Sequence, residues 1–193
     1  TGVAIGNGAV LAGGLINRGL ISGMNEGVNI WGSGQLKGGL NNQGTIVAMG
    51  TGVRVSSGSL LAGGLTNSGL ISGWYGYGIG ITDNSAINGG IVNTGSIIGG
   101  SGAGIAISGY SQLNGGITNS GLIDGVLGVN LGLQCLSPGC IVPGSLSGGI
   151  TNSGVINGAW LGVGMFGSTL EGGIKNTGTI SGGETGIYVG SSS

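Results

Sequence analysis

Charge is nearly absent from this chain. Four basic residues (Arg18, Lys37, Arg54, Lys175) stand against five acidic ones (Glu26, Asp83, Asp124, Glu171, Glu184), for a net charge of −1 and a charged fraction of 5%, where about 25% is ordinary. With no basic cluster, the chain offers no footprint for nucleic acid or for an anionic membrane surface. Histidine is missing altogether. Acid–base and metal chemistry lean on histidine and dense carboxylates, so no enzyme, metal or cofactor is expected. Long apolar runs are missing too: Gly, Ser or Asn interrupts each one well before the roughly 20 residues of a membrane span, so no direct insertion of this segment is expected. The opening TGVAIGNGAV has no basic start and no long apolar stretch, and so shows no secretory signal. With two prolines and no glycine at every third position, collagen is excluded. Disorder needs low hydrophobicity and high charge, whereas mean hydropathy is +0.46.

What is abundant is glycine, 53 of 193 residues, and it recurs in a pattern. A Gly-Gly pair begins at 13, 38, 63, 89, 115, 148 and 172, giving spacings of 25, 25, 26, 26, 33 and 24 residues. Typical segments read GGLTNSGLISG, GGITNSGLIDG and GGIKNTGTISG. Four residues past the first glycine is always asparagine: Asn17, Asn42, Asn67, Asn93, Asn119, Asn152, Asn176. Eight past it is always isoleucine, from Ile21 to Ile180, and Leu or Ile stands two before and two after it. A second element reads Gly-apolar-x-apolar, as in GVNI at 27, GVRV at 52, GIAI at 104 and GIYV at 186.

Period-two alternation marks strands, and the glycines between them mark corners. Self-similarity at this period marks a solenoid. The sequence therefore predicts an all-β fold, a single-stranded parallel β-solenoid running through residues 1–193, with about 25 residues per coil and seven to eight coils. Each coil should hold about three short strands and three corners, with four sets of aliphatic columns lining the interior. At ~4.8 Å between strands the rod would be about 35 Å long. The constant asparagine shares parity with the inward positions beside it. Identical amides one coil apart can satisfy one another's donors and acceptors, as in cross-β ladders. The alternative is a surface row of ligand-binding amides.

With GGI-x-N-[ST]-G-x-I-x-G and close variants repeated along nearly the whole chain, the sequence resembles the passenger β-helix of bacterial autotransporters, the type V secretion class. Long adhesin passengers with Gly- and Asn-rich repeats are the closest in kind. Chlamydial polymorphic membrane proteins carry a related Gly-Gly-Ala-Ile and Phe-x-x-Asn signature, whose phenylalanine is missing here. The resemblance implies a secreted or bacterial cell-surface rod that serves adhesion, aggregation or display. The family's C-terminal membrane barrel lies outside this sequence.

Departures from the repeat carry the remaining expectations. The 33-residue unit owes its excess to LGLQCLSPGCIVPGS, a loop insertion over residues 134–144 expected to project from one corner. It holds Cys135, Pro138, Cys140 and Pro143. Cys-x4-Cys around Pro-Gly suits a turn closed by a disulfide, worth about 2 kcal/mol by chain entropy and favouring an oxidising compartment. A metal would need further ligands, and a redox site would prefer Cys-x-x-Cys. Trp74, Tyr75 and Trp160 follow the constant Ile-x-Gly at a corner, where they either stack on a carbohydrate or fill core gaps. A carbohydrate-binding module using these aromatics or the Cys loop is the alternative function. Asp83 and Asp124 sit at different phases of the repeat, which argues against a paired carboxylate site for polysaccharide cleavage. Both ends of the chain are cut at the same phase of one repeat. Self-association by end-to-end stacking into fibres, or membership of a longer rod, is therefore expected; a host or cell-surface ligand is the other partner considered.

Overall fold

A computed structural model describes residues 1–134 and 141–190 and contains no helix among them. The chain winds into a parallel β-solenoid of about seven turns, ~25 residues each. One coil shows the plan, with strands at Glu26–Ile30, Gln35–Leu36, Leu40–Asn42 and Thr45–Ala48. Equivalent strands stack in register into one sheet of thirteen strands and two of seven. Thus Leu65, Thr66 and Asn67 face Ile91, Val92 and Asn93, which face Ile117, Thr118 and Asn119.

Each coil has four strands on three faces, one more strand than the sequence suggests. The large sheet takes two strands per coil, such as Leu20–Gly23 and Glu26–Ile30, separated by a short bend. In two coils the bend straightens and the pair fuses into single strands, Leu122–Leu131 and Val155–Phe166. The sequence signal is the same in either case, because a bend between two strands of one sheet interrupts the alternation just as a corner does.

The interior is a set of aliphatic columns, including Ile46, Ile71, Ile97, Ile123 and Ile156, all fully buried. Val53/Val55, Ile79/Ile81 and Ile105/Ile107 form further columns on the same sheet, across its bend. Burying each such side chain contributes roughly 1.5–3 kcal/mol, and stacking is what makes burial possible, since a lone coil has nothing above or below it.

Two corners are set by backbone. Between the large sheet and the Gln35–Leu36 sheet, consecutive residues adopt left-handed φ: Asn7–Gly8, Gly32–Ser33, Ser57–Gly58, Asp83–Asn84 and Gly109–Tyr110. The Gly-Gly corner has a different cause. Gly64 has φ +74, and a Cβ there would stand 2.8 Å from the Gly89 carbonyl oxygen of the next coil, so only glycine lets successive turns stack so closely.

Candidate functional site

The constant asparagines form one continuous ladder. Each side-chain Nδ2 donates to the Oδ1 of the next coil's asparagine: Asn17 to Asn42 at 2.8 Å, Asn42 to Asn67 at 2.7 Å, Asn67 to Asn93 and Asn93 to Asn119 at 2.8 Å, Asn119 to Asn152 and Asn152 to Asn176 at 2.7 Å. The same Nδ2 also reaches two backbone carbonyls around the corner; for Asn93 these belong to Gly95 (3.2 Å) and Leu122 (3.0 Å). Asn42 through Asn152 are buried. Their amides are consumed by the fold and present no row of free groups to a ligand.

The three aromatics expected at a corner lie instead within the large sheet, Trp74 and Tyr75 at its bend and Trp160 inside the strand Val155–Phe166, and they divide. Trp74 and Tyr75 are 67% and 69% exposed, and with Met49 and Val47 they line a shallow recess of about 360 Å³. Trp160 lies three coils further along, about 14 Å at strand spacing, and is engaged: its Nε1 donates to Glu184 at 2.5 Å, and its ring lies 6.4 Å from Phe166, which in turn meets Tyr188 at 5.5 Å. The structure does not bring Trp74 and Trp160 together.

The insertion replaces the left-handed corner after Leu131. Leu133–Gln134 and Ile141–Val142 pair antiparallel, in contrast to the parallel pairing everywhere else among the described strands. Cys135, Cys140 and Pro138 lie outside the described residues, and with them the expected disulfide.

A third place drew no notice in the sequence. Glu26 and Arg54, on strands of the large sheet, and Asp83, at the left-handed corner that follows, come from successive coils. One guanidinium nitrogen of Arg54 lies 4.0 Å from Glu26 Oε1 and the other 3.7 Å from Asp83 Oδ2. The recess beside them, about 340 Å³, is lined by Arg54, Tyr77, Thr82 and Asp83, with Gly80 as floor. A Cβ on Gly80 would stand 3.0 Å from the Tyr77 ring, so glycine here makes room for the ring. Burial pushes the Tyr77 hydroxyl's pKa up, and the nearby Arg54 partly opposes this. Only the gap left by Gly80 in the outward column Asn29–Arg54–Gly80–Ala106 hints at the recess in advance. Asp124 lies apart, accepting a hydrogen bond from Asn157 at 2.7 Å.

The chain matches no protein-family model, no curated protein and no solved structure.

Proposed function

We propose that this chain is an extracellular structural and adhesive rod, of the kind autotransporter passengers provide, whose role is reach, display and self-association. The observation that carries this reading is the uninterrupted stack: six amide-to-amide bonds run from Asn17 to Asn176 through coils in one register. Such a quasi-one-dimensional scaffold spends its sequence on persistence along an axis. The near absence of charge supports self-association, because little repulsion opposes the approach of like surfaces. The same stacking contacts that join coil to coil within a chain serve between chains, end to end, in this reading. A secreted or bacterial-surface location and non-enzymatic action belong to it as well.

The test is display on a bacterial surface. Cells carrying the chain are expected to settle together, or to adhere to host cells, more than cells carrying a display vector with an unrelated rod of equal length. Indifference in both assays would overturn the adhesive role.

A further inference from the structure

The recess at Arg54 has an arrangement that the solenoid does not require. Arg54 is flanked by two carboxylates at 4.0 and 3.7 Å. Both separations exceed a direct hydrogen bond, so charge alone holds the guanidinium in place. Among the described residues the guanidinium's N–H groups, five donors in a fixed fork, make no hydrogen bond. The carboxylates, by contrast, are oriented: Glu26 Oε2 accepts from Thr1 Oγ1 at 2.8 Å, and Asp83 Oδ2 accepts from Thr82 Oγ1 at 3.0 Å.

Charge then selects among ligands. An anion attracted to Arg54 would meet Glu26 and Asp83, and a cation attracted to the carboxylates would meet Arg54. A neutral hydroxyl suits both, because it accepts from the guanidinium while donating to the carboxylate. Two neighbouring hydroxyls would engage two of the unused donors of the fork. Beside these charges lies the Tyr77 ring, set over Gly80, an apolar surface for the C–H groups of a sugar ring. The recess volume of about 340 Å³ falls at the lower end of small-ligand sites, enough for a single sugar unit.

We propose that this recess binds one neutral pyranose unit of a glycan, its hydroxyls bridging Arg54 and Asp83 and its ring lying beside Tyr77. The site lies on the outer face at the edge of the large sheet, apart from the recess of Trp74 and Tyr75 at its bend. It does not rest on the adhesive-rod reading, which would stand without it.

The experiment is calorimetric and saturation-transfer titration of the whole chain. The probes are glucose, galactose, mannose and N-acetylglucosamine, with glucuronate and glucosamine as charged counterparts. At least one neutral sugar should bind, and its charged counterparts should bind at least tenfold more weakly. Arg54→Ala and Arg54→Gln should each weaken binding tenfold or more, as should Gly80→Val, which drives a side chain into the Tyr77 ring. Trp74→Ala should leave affinity within twofold. Circular dichroism checks the fold of each variant, and should Gly80→Val fail to fold, the two Arg54 variants decide alone. No binding of any neutral sugar to the folded protein would overturn the proposal. So would equal binding of the charged sugars, or a loss on Trp74→Ala without one on Arg54→Ala.

Discussion

The asparagine corner and the bend of the large sheet do the same job, turning the chain between two strands, yet they tolerate change differently. From the ladder asparagine to the constant isoleucine the distance is four residues in every coil, as from Asn93 to Ile97. From that isoleucine across the bend to the next inward aliphatic, the distance is eight residues at Ile71–Ile79, seven at Ile46–Val53 and six at Ile123–Val129. The asparagine corner is closed by side-chain bonds that reach both the neighbouring amide and the carbonyls around the turn. An added residue there shifts the strand that follows against the carbonyls this network uses. The bend is held by sheet pairing on either side and by backbone bonds between coils, and the side chains of its own residues, such as exposed Trp74 and Tyr75, hold little else in place. A turn fastened by buried side chains fixes length, while a turn held only by backbone bonds to its neighbours, such as Tyr75 N to the Met49 carbonyl, leaves length freer.

The harshest way to break that contrast is to lengthen each turn by one glycine. Inserted after Gly95, it moves Ile97 from the buried face to the solvent face, because side chains alternate with period two. It also displaces the Ser96 carbonyl, which accepts from Asn67 Nδ2 of the preceding coil. A loss of about 4 kcal/mol or more is expected, on the scale of the most damaging core changes. Inserted after Gly100, within the bend, the same glycine should cost about 1 kcal/mol or less, since loop-closure entropy rises slowly with length. Urea unfolding of the two variants measures the difference, and equal losses would abolish the distinction.

A gentler version removes one rung. Asn93→Ala removes the donor that Asn119 Oδ1 and the Gly95 and Leu122 carbonyls accept from in a buried site, while Asn67 Nδ2 keeps its own two carbonyls. At roughly 1–3 kcal/mol per unsatisfied group, about 3 kcal/mol is expected. Thr94→Ala, one residue along and exposed, should stay within about 0.5 kcal/mol. If thermal unfolding gave equal shifts, the ladder would be ornament and the corner would be held by glycine alone.

These two turns also explain what could be read from sequence. The ladder was legible because its geometry demands one residue type at one offset, so Asn17 through Asn176 appear as a column before any fold is known. The aliphatic columns were legible for the same reason. The left-handed corner was not, because Asn7–Gly8, Ser57–Gly58 and Asp83–Asn84 reach one backbone shape by different residues. The fourth strand escaped because a bend within a sheet and a corner between sheets leave the same glycine trace. Least legible was the Arg54 recess. Glu26, Arg54 and Asp83 recur in no other coil as a set, and only stacking brings residues so far apart in sequence into contact.

The finest test asks whether the tolerant bend has an anchored residue of its own. Tyr77 belongs to the longer bend between Ile71 and Ile79, but unlike Trp74 and Tyr75 its ring packs back over Gly80, and burial raises its pKa above the ordinary 10.0. The unfolded chain then loses this proton first as pH rises. Between pH 10.0 and the folded value, the folded state holds more protons than the unfolded one, so stability must fall as pH increases. Below that window both states are protonated and the contribution is present in full. The expected outcome is a stability difference between the native chain and Tyr77→Phe that is constant from neutral pH to about 10 and then drifts in favour of the phenylalanine variant. Paired urea unfolding curves at stepped alkaline pH measure it, with the variant subtracting every other titrating group. A difference that stayed flat through the alkaline range would mean that Tyr77 is as loosely held as its two neighbours, and that the bend is free along its whole length.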